Sequence, residues 1–510
     1  LGNALLFTAT EKPAMSQTLF LGADSDGAVS QRLDKVNRHG LIAGATGTGK
    51  TVTLKVLAQA YSDAGVPVFV ADVKGDLSGV AMPGEAKDFL SRRAEAIGMG
   101  DLVFQGSPTV FWDLEGNRGL PPRTTVSEMG PALLSRLLNL TEAQEGALRV
   151  AFSLADEEGL LVLDTKDLRA LLTHVADRAK EIRATHGLVS TSSLGAIQRK
   201  LAALEGDGGD RLFGEPALEM ADLTEPNRDG KGPIHVLVAD KLIQSPLLYS
   251  TVLLWLLSEL HEDLPEVGDQ EKPVLALFLD EAHLLFTDTP KVLVDKITQV
   301  ARLIRSKGVG VYFVTQSPRD IPDAILAQLG TRIQHALRAY TPGERKAIKA
   351  VADGFRPNPA FDAGAVVTEL GTGEALVSTL DEKGAPTVVR RVLIRPPACA
   401  LGPVSEAVRA DIIADHPDHA YFTQEIDRES AYEILVARAQ ALTEPRTPAT
   451  PRAGRSRLPT SGSTGARTPK PTTRRGDSLA DAAMKSVARS VGGSLGRAIV
   501  RGVLGAIFRK

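Results

Sequence analysis

Eight consecutive residues, Gly44, Ala45, Thr46, Gly47, Thr48, Gly49, Lys50 and Thr51, match the pattern G-x-x-x-x-G-K-[ST] between an apolar run at 40–43 and a helical stretch at 51–64. No other feature constrains the fold so tightly. The glycines let backbone N–H groups turn inward onto phosphates, and the start of the helix adds the positive end of its dipole. Lys50 is spaced to reach the β and γ phosphates of a nucleotide, and the Thr51 hydroxyl to ligate Mg²⁺. A second apolar run at 66–71, with Pro67 at its start, completes a βαβ unit. Its right-handed crossover predicts two parallel strands, adjacent or nearly so.

Further strand-length apolar runs lie at 234–238, 274–279 and 309–314, with helical patterns at 245–261 and 291–306 between them. Strands apolar on both faces belong inside a sheet covered by helices on each side. Hydrophobic residues make up 43% of the chain but aromatics only 5%, so this core is aliphatic. The expected class is α/β, a RecA-like P-loop core with a mostly parallel, doubly wound sheet, spanning 37–79 and 231–400. Runs at 374–380 and 387–394 around Asp381 to Gly384 predict a late hairpin at a sheet edge. The stretch 80–230 reads as a mainly helical insertion, with helices at 131–140, 141–157 and 167–185 and a capping box of Thr141 and Gln144. The expected divisions outside these are an N-terminal segment at 1–36, a helical extension at 401–443, a disordered Pro/Arg-rich linker at 444–477 and a basic amphipathic helix at 478–510.

The run at 274–279 ends in Asp280 and Glu281. An acid at a strand's carboxyl end is placed to hold Mg²⁺, and the next one to polarise an attacking water. Asp280 to His283 spells D-E-A-H, but no second RecA-like domain follows. Gln316, just past the run at 309–314, is either a sensor beside the γ-phosphate or an ordinary strand cap. Asp72, at the end of the second strand, assists the metal or water, or caps the next turn. Arg302 and Arg305, three apart, predict one helical face, used either for surface ion pairs or as an arginine finger reaching a neighbouring subunit.

From Pro445 onward 14 Lys and Arg face 2 Asp, whereas residues 1–444 carry 45 Lys and Arg against 60 Asp and Glu. An acidic body with a basic tail raises nucleic acid or an anionic membrane as partners of the tail, with solubility alone as the plain alternative. Ser486, Ser490, Ser494, Ala498, Gly502 and Ala506 make one stripe of that tail, and Lys485, Arg489, Arg497, Arg501 and Arg509 another. One cysteine, Cys399, forms no internal disulfide and points to a reducing compartment. With no run long enough to span a bilayer, the expectation is a cytoplasmic protein without a transmembrane segment. The chain starts at Leu1, and the residues before Met15 read as a start-site artefact.

Taken together, these residues resemble the bacterial HerA-like P-loop ATPases of the HerA/FtsK superfamily. The similarity also runs through Ala71 to Asp76, Leu194 to Arg199, Phe213 to Pro216, Arg302 to Gly310, Gln334 to Arg338 and Asp427 to Tyr432. It implies ATP hydrolysis with Mg²⁺ by a homo-hexameric ring, and DNA translocation or unwinding. It assigns Lys50 and Thr51 to nucleotide and metal, Asp280 and Glu281 to the Walker B pair, Gln316 to sensing, and Arg302 or Arg305 to the finger in trans. The resemblance also raises Asp72 to a catalytic position. One departure is plain: archaeal HerA proteins place a β-barrel before the ATPase core, and only about 40 residues precede Gly44 here. A protein-handling ATPase similar to conjugation and secretion motors, or a nucleotide switch, are the alternative readings.

Overall fold

In each central strand, side chains alternate between two apolar layers. Leu41, Phe69, Ala71, Leu275, Leu277, Leu279, Val311 and Phe313 point into one layer. Ile42, Val68, Val70, Ala276, Phe278, Tyr312 and Val314 point into the other. The computed structural model describes residues 18–443 apart from 188, 288–290 and 339–341. Residues 1–17, the linker expected at 444–477 and the helix expected at 478–510 lie outside the described residues.

The chain opens with strands β1 (Thr18–Asp24), β2 (Gly27–Arg32) and β3 (Gly40–Ala43), then helix α1 (Lys50–Asp63), β4 (Val68–Asp72), α2 (Asp88–Ala96) and β5 (Thr109–Trp112). Six helices follow: α3 (Val126–Leu137), α4 (Glu142–Glu158), α5 (Thr165–Asp177), α6 (Ala179–His186), α7 (Thr191–Gly206) and α8 (Met220–Thr224). Next come β6 (Ile234–Val238), α9 (Pro246–Asp263), β7 (Leu275–Leu279), α10 (Lys291–Leu303), β8 (Val309–Thr315), α11 (Asp323–Leu326) and β9 (Thr331–Gln334). The rest is α12 (Pro342–Asp353), α13 (Ala363–Glu369), β10 (Glu374–Ser378), β11 (Arg390–Ile394), α14 (Glu406–Ala414), α15 (His419–Thr423) and α16 (Ala431–Thr443).

The strands form one sheet in the order β2-β1-β11-β10-β9-β3-β8-β7-β4-β6-β5. From β9 to β5 every neighbouring pair is parallel. From β9 to β2 every pair is antiparallel. The α/β class with a mostly parallel sheet is thus observed.

Two placements differ from the sequence expectation. β3 and β4 are not near neighbours, because β8 and β7 enter the sheet between them. The hairpin β10–β11 is not at the edge, because residues assigned to the N-terminal segment supply β1 and β2 outside it. β1 can approach closely because Gly22, paired with Ile394, carries no side chain: a Cβ there would stand 2.0 Å from the Leu393 carbonyl oxygen.

The stretch 80–230 is mainly helical but is not a body apart. It gives the sheet its edge strand β5, and its leucines share one continuous core with the sheet. α9 joins the two: residues Leu248 to Leu260 are buried without interruption, the signature of a helix covered all round. Each leucine so buried contributes about 1.5–3 kcal/mol before entropy is counted.

Three helices depart in detail. The helix expected at 131–140 starts at Val126 and kinks at Gly130, where φ is +68°. That expected at 167–185 breaks at Arg178 into α5 and α6. That expected at 291–306 ends at Leu303, followed by a 3-10 turn, Ile304–Lys307. The Thr141 and Gln144 cap is present, with Thr141 N donating to Gln144 Oε1 at 3.1 Å.

Candidate functional site

The loop from Gly44 to Gly49 joins the carboxyl end of β3 to the head of α1. Gly49, with φ +114°, occupies the N-cap, and Gly47, with φ +77°, is also in the half of conformational space that favours glycine. Gly44 answers a contact: a Cβ there would lie 2.5 Å from His335 Cβ. Ala45 N donates to Ala336 O at 2.9 Å, and Thr48 O accepts from Gly373 N at 2.9 Å, so the segment after β9 and the turn before β10 brace the loop from outside. Thr46 and Gly47 are exposed, and Thr51 is half-buried.

Lys50 is buried, and its Nζ donates to Gly44 O at 2.6 Å and Ala45 O at 3.1 Å. Burial lowers its pKa, the charges of Glu281 and Asp280 work the other way, and Lys74 adds repulsion. Lys50 therefore stands within electrostatic reach of the acidic pair at the end of β7.

Asp280 is buried, and burial followed by the charge of Glu281 pushes its carboxyl up to about 7. Burial penalises the charged form of this carboxyl, and a cation beside it would favour that form. Glu281 is buried too, and its backbone is in the left-handed region, φ +46° and ψ +47°, a rare conformation for a glutamate. Burial raises the Glu281 pKa, but an ion pair with Lys74, a Gln316 hydrogen bond and the nearby His283 outweigh it and leave the carboxyl lowered. Gln316 Nε2 donates to Glu281 Oε2 at 3.5 Å, and His283 Nδ1 lies 3.2 Å from the same oxygen.

β8 lies beside β3, pairing Ala43 with Thr315, so Gln316 follows the strand next to the one that leads into the glycine loop. Asp72 is buried at the end of β4 and uses both oxygens on its own turn, Oδ1 accepting from Gly75 N at 2.8 Å and Oδ2 from Leu77 N at 3.1 Å. Burial and the charge of Asp76 push it up to about 6. The capping alternative is therefore realised in the geometry.

Arg302 and Arg305 are not brought to this site. They precede β8, whose far end carries Gln316, and seven residues of strand span roughly 20 Å. Nor do they share an α-helical face: Arg302 is exposed in the last turn of α10, while Arg305 sits in the following 3-10 turn with its Nη2 3.9 Å from Asp269 Oδ1.

Two contributors escaped the sequence reading. Lys74 has a local signal, a cation two residues past a strand-ending acid. His335 has none. Its Nδ1 faces Glu374 O at 2.9 Å and its Nε2 lies 2.8 Å from Thr53 Oγ1. Burial lowers this imidazole to about 4, so it is neutral, donating to the carbonyl and accepting from the hydroxyl.

A glycine loop heading a helix, with an acidic pair two strands away on the same sheet end, defines a P-loop ATPase. The chain belongs to the family described as helicase HerA-like C-terminal, whose model matches residues 17–510. The protein named probable helicase MJECL08, from Methanocaldococcus jannaschii, is 32% identical over 125 residues, 24% of this chain and 22% of that protein. The DNA double-strand break repair helicase HerA of Sulfolobus acidocaldarius is 30% identical over 106 residues, 21% of this chain and 20% of that one. The matches thus span about a fifth of each relative. VirB4 of Thermoanaerobacter pseudethanolicus, a solved structure, is similar over 74% of this chain and 96% of its own, at 17% identity and a TM-score of 0.47. Among the described residues no helix is long and apolar enough to cross a membrane.

The raised pKa of Asp280 makes a testable statement about stability. Its folded value lies above the unfolded one near 3.9, so the nucleotide-free protein loses stability as pH rises from about 4 to about 7. Asp280→Asn removes that loss. Thermal unfolding without nucleotide should show the variant gaining melting temperature over the parent at pH 8 and little at pH 4; a gain independent of pH would contradict the assignment.

Proposed function

We propose that this protein hydrolyses ATP with Mg²⁺ and works as a ring-forming, homo-hexameric motor on DNA. The observation that carries the hydrolytic part is the gathering of Lys50, Asp280, Glu281 and Gln316 at one end of the sheet. Lys50 and the N–H groups of Gly44 to Thr51 would hold the phosphates. Thr51 and Asp280 would hold Mg²⁺, a cation that would favour the charged form of the buried Asp280 carboxyl. Such a metal keeps waters and shares phosphate oxygens. Among the described residues no group of three or more His, Cys, Asp or Glu is placed to hold a metal alone. When bound, Mg²⁺ supplies charge neutralisation at the phosphates; Glu281 polarises the water and Gln316 orients Glu281.

An arginine supplied in trans is worth roughly 10³–10⁵ in rate in GTPase systems. Arg302 and Arg305, at the sheet end away from their own loop, are available only to a neighbour's site. If one is the finger, mixing inactive Arg305→Ala or Arg302→Ala chains with inactive Glu281→Gln chains should restore part of the ATPase at mixed interfaces. Restoration with neither arginine variant, in rings shown to be mixed, would remove the finger.

The DNA part is supported by the family and by the helicase names of the two relatives. The acidic body, 60 acids against 45 bases, favours the second reading, a protein client, unless the basic residues from Pro445 onward carry the nucleic-acid contacts. Phosphate contacts would make stimulation salt-sensitive and independent of sequence. ATPase rates with single-stranded DNA, duplex DNA or neither, over a salt series, should rise with DNA at low salt and fall back as salt increases. No stimulation and no retention on DNA at low salt would leave the protein-handling reading.

A further inference from the structure

The pairing of Lys74 with Glu281 is not accounted for by any role assigned so far. β4 and β7 run side by side with Ala71 opposite Leu279, so the turns that follow them emerge together. Lys74 Nζ reaches Glu281 Oε1, while the other carboxylate oxygen faces Gln316 and His283. The two partners differ in freedom. The Glu281 side chain is 5% exposed and that of Lys74 is 42%, so Lys74 is the one able to leave.

We propose that Lys74 is a latch on the water-polarising carboxylate: it holds Glu281 while the phosphate loop is empty and moves to the γ-phosphate when a nucleoside triphosphate occupies the loop. This deepens the ATP reading and rests on it. Three observations carry it. A carboxylate bound to an ammonium is a weak base, so Glu281 is restrained as it stands. Lys74 and Lys50 are close enough to repel, with Glu281 attracting both, so an added anion at this place draws Lys74 toward it. Gln316 and His283 both address Oε2, so Glu281 keeps partners when Lys74 departs. Lys74 is thus a positioning residue, which lets Glu281 act only when a γ-phosphate is present.

The test is equilibrium binding of ATPγS and of ADP, each with Mg²⁺, to the full chain and to Lys74→Met, Glu281→Gln and the double variant. ADP lacks the γ-phosphate, so its affinity reports an intact site. With a latch, binding ATPγS breaks the ion pair, and Glu281→Gln removes that cost only where Lys74 is present. The gain in ATPγS over ADP affinity from Glu281→Gln should be about fivefold larger with Lys74 than with Met at that position, the size of one half-exposed ion pair. An equal or larger gain in the Lys74→Met background would overturn the latch while leaving the ATP reading intact. No nucleotide binding by the parent chain would overturn both.

Discussion

The parallel pairing of β8 between β3 and β7 is the constraint on which the site depends. In-register parallel strands end together, so the turn after each strand opens at the same end of the sheet. That register puts the glycine loop, Gln316 and the Asp280–Glu281 pair within one neighbourhood although 237 positions separate Gly44 from Glu281 in sequence. It is held by apolar burial on both faces, with α1 covering one side and α9 the other. A register slip of one residue would turn Leu277 and Phe278 to the wrong layers, so burial itself fixes where the acids stand.

Having fixed the acids, the fold leaves them electrostatically uncomfortable. Asp280 and Asp72 are buried and pushed up, and Glu281 sits in a left-handed backbone conformation with Lys74 as its main charge partner. The interior beside them is otherwise conventional: His335 is neutral and fully hydrogen-bonded, and Lys55, also buried, donates to Ala400 O at 2.9 Å and Leu401 O at 2.8 Å. A left-handed glutamate and buried acids with raised pKa beside a phosphate loop are features that concentrate at functional sites.

Local chemistry was legible in the sequence; contacts set by strand order were not. The glycine loop announces itself because φ and close approach demand glycine at fixed spacing, and the strand ending in Asp280 because apolar runs on both faces mark a buried strand. The position of β1 and β2 depended on Gly22 pairing with Ile394 against the Leu393 carbonyl, a match between residues far apart in sequence that no local pattern encodes. The Lys74–Glu281 pair required knowing that β4 lies beside β7, and the βαβ rule had suggested β3 instead. Arg302 and Arg305 had the spacing of one helical face, but the helix ended between them.

Lys50, Asp280 and Glu281 stand or fall together as the proposed ATP-hydrolysing site. The most direct measurement is phosphate release and retained nucleotide, side by side, for the parent chain and Glu281→Gln with Mg²⁺ and ATP. The parent should release phosphate steadily, and the variant about a hundredfold more slowly while ATP stays bound. Undiminished turnover by Glu281→Gln would show that another group activates the water.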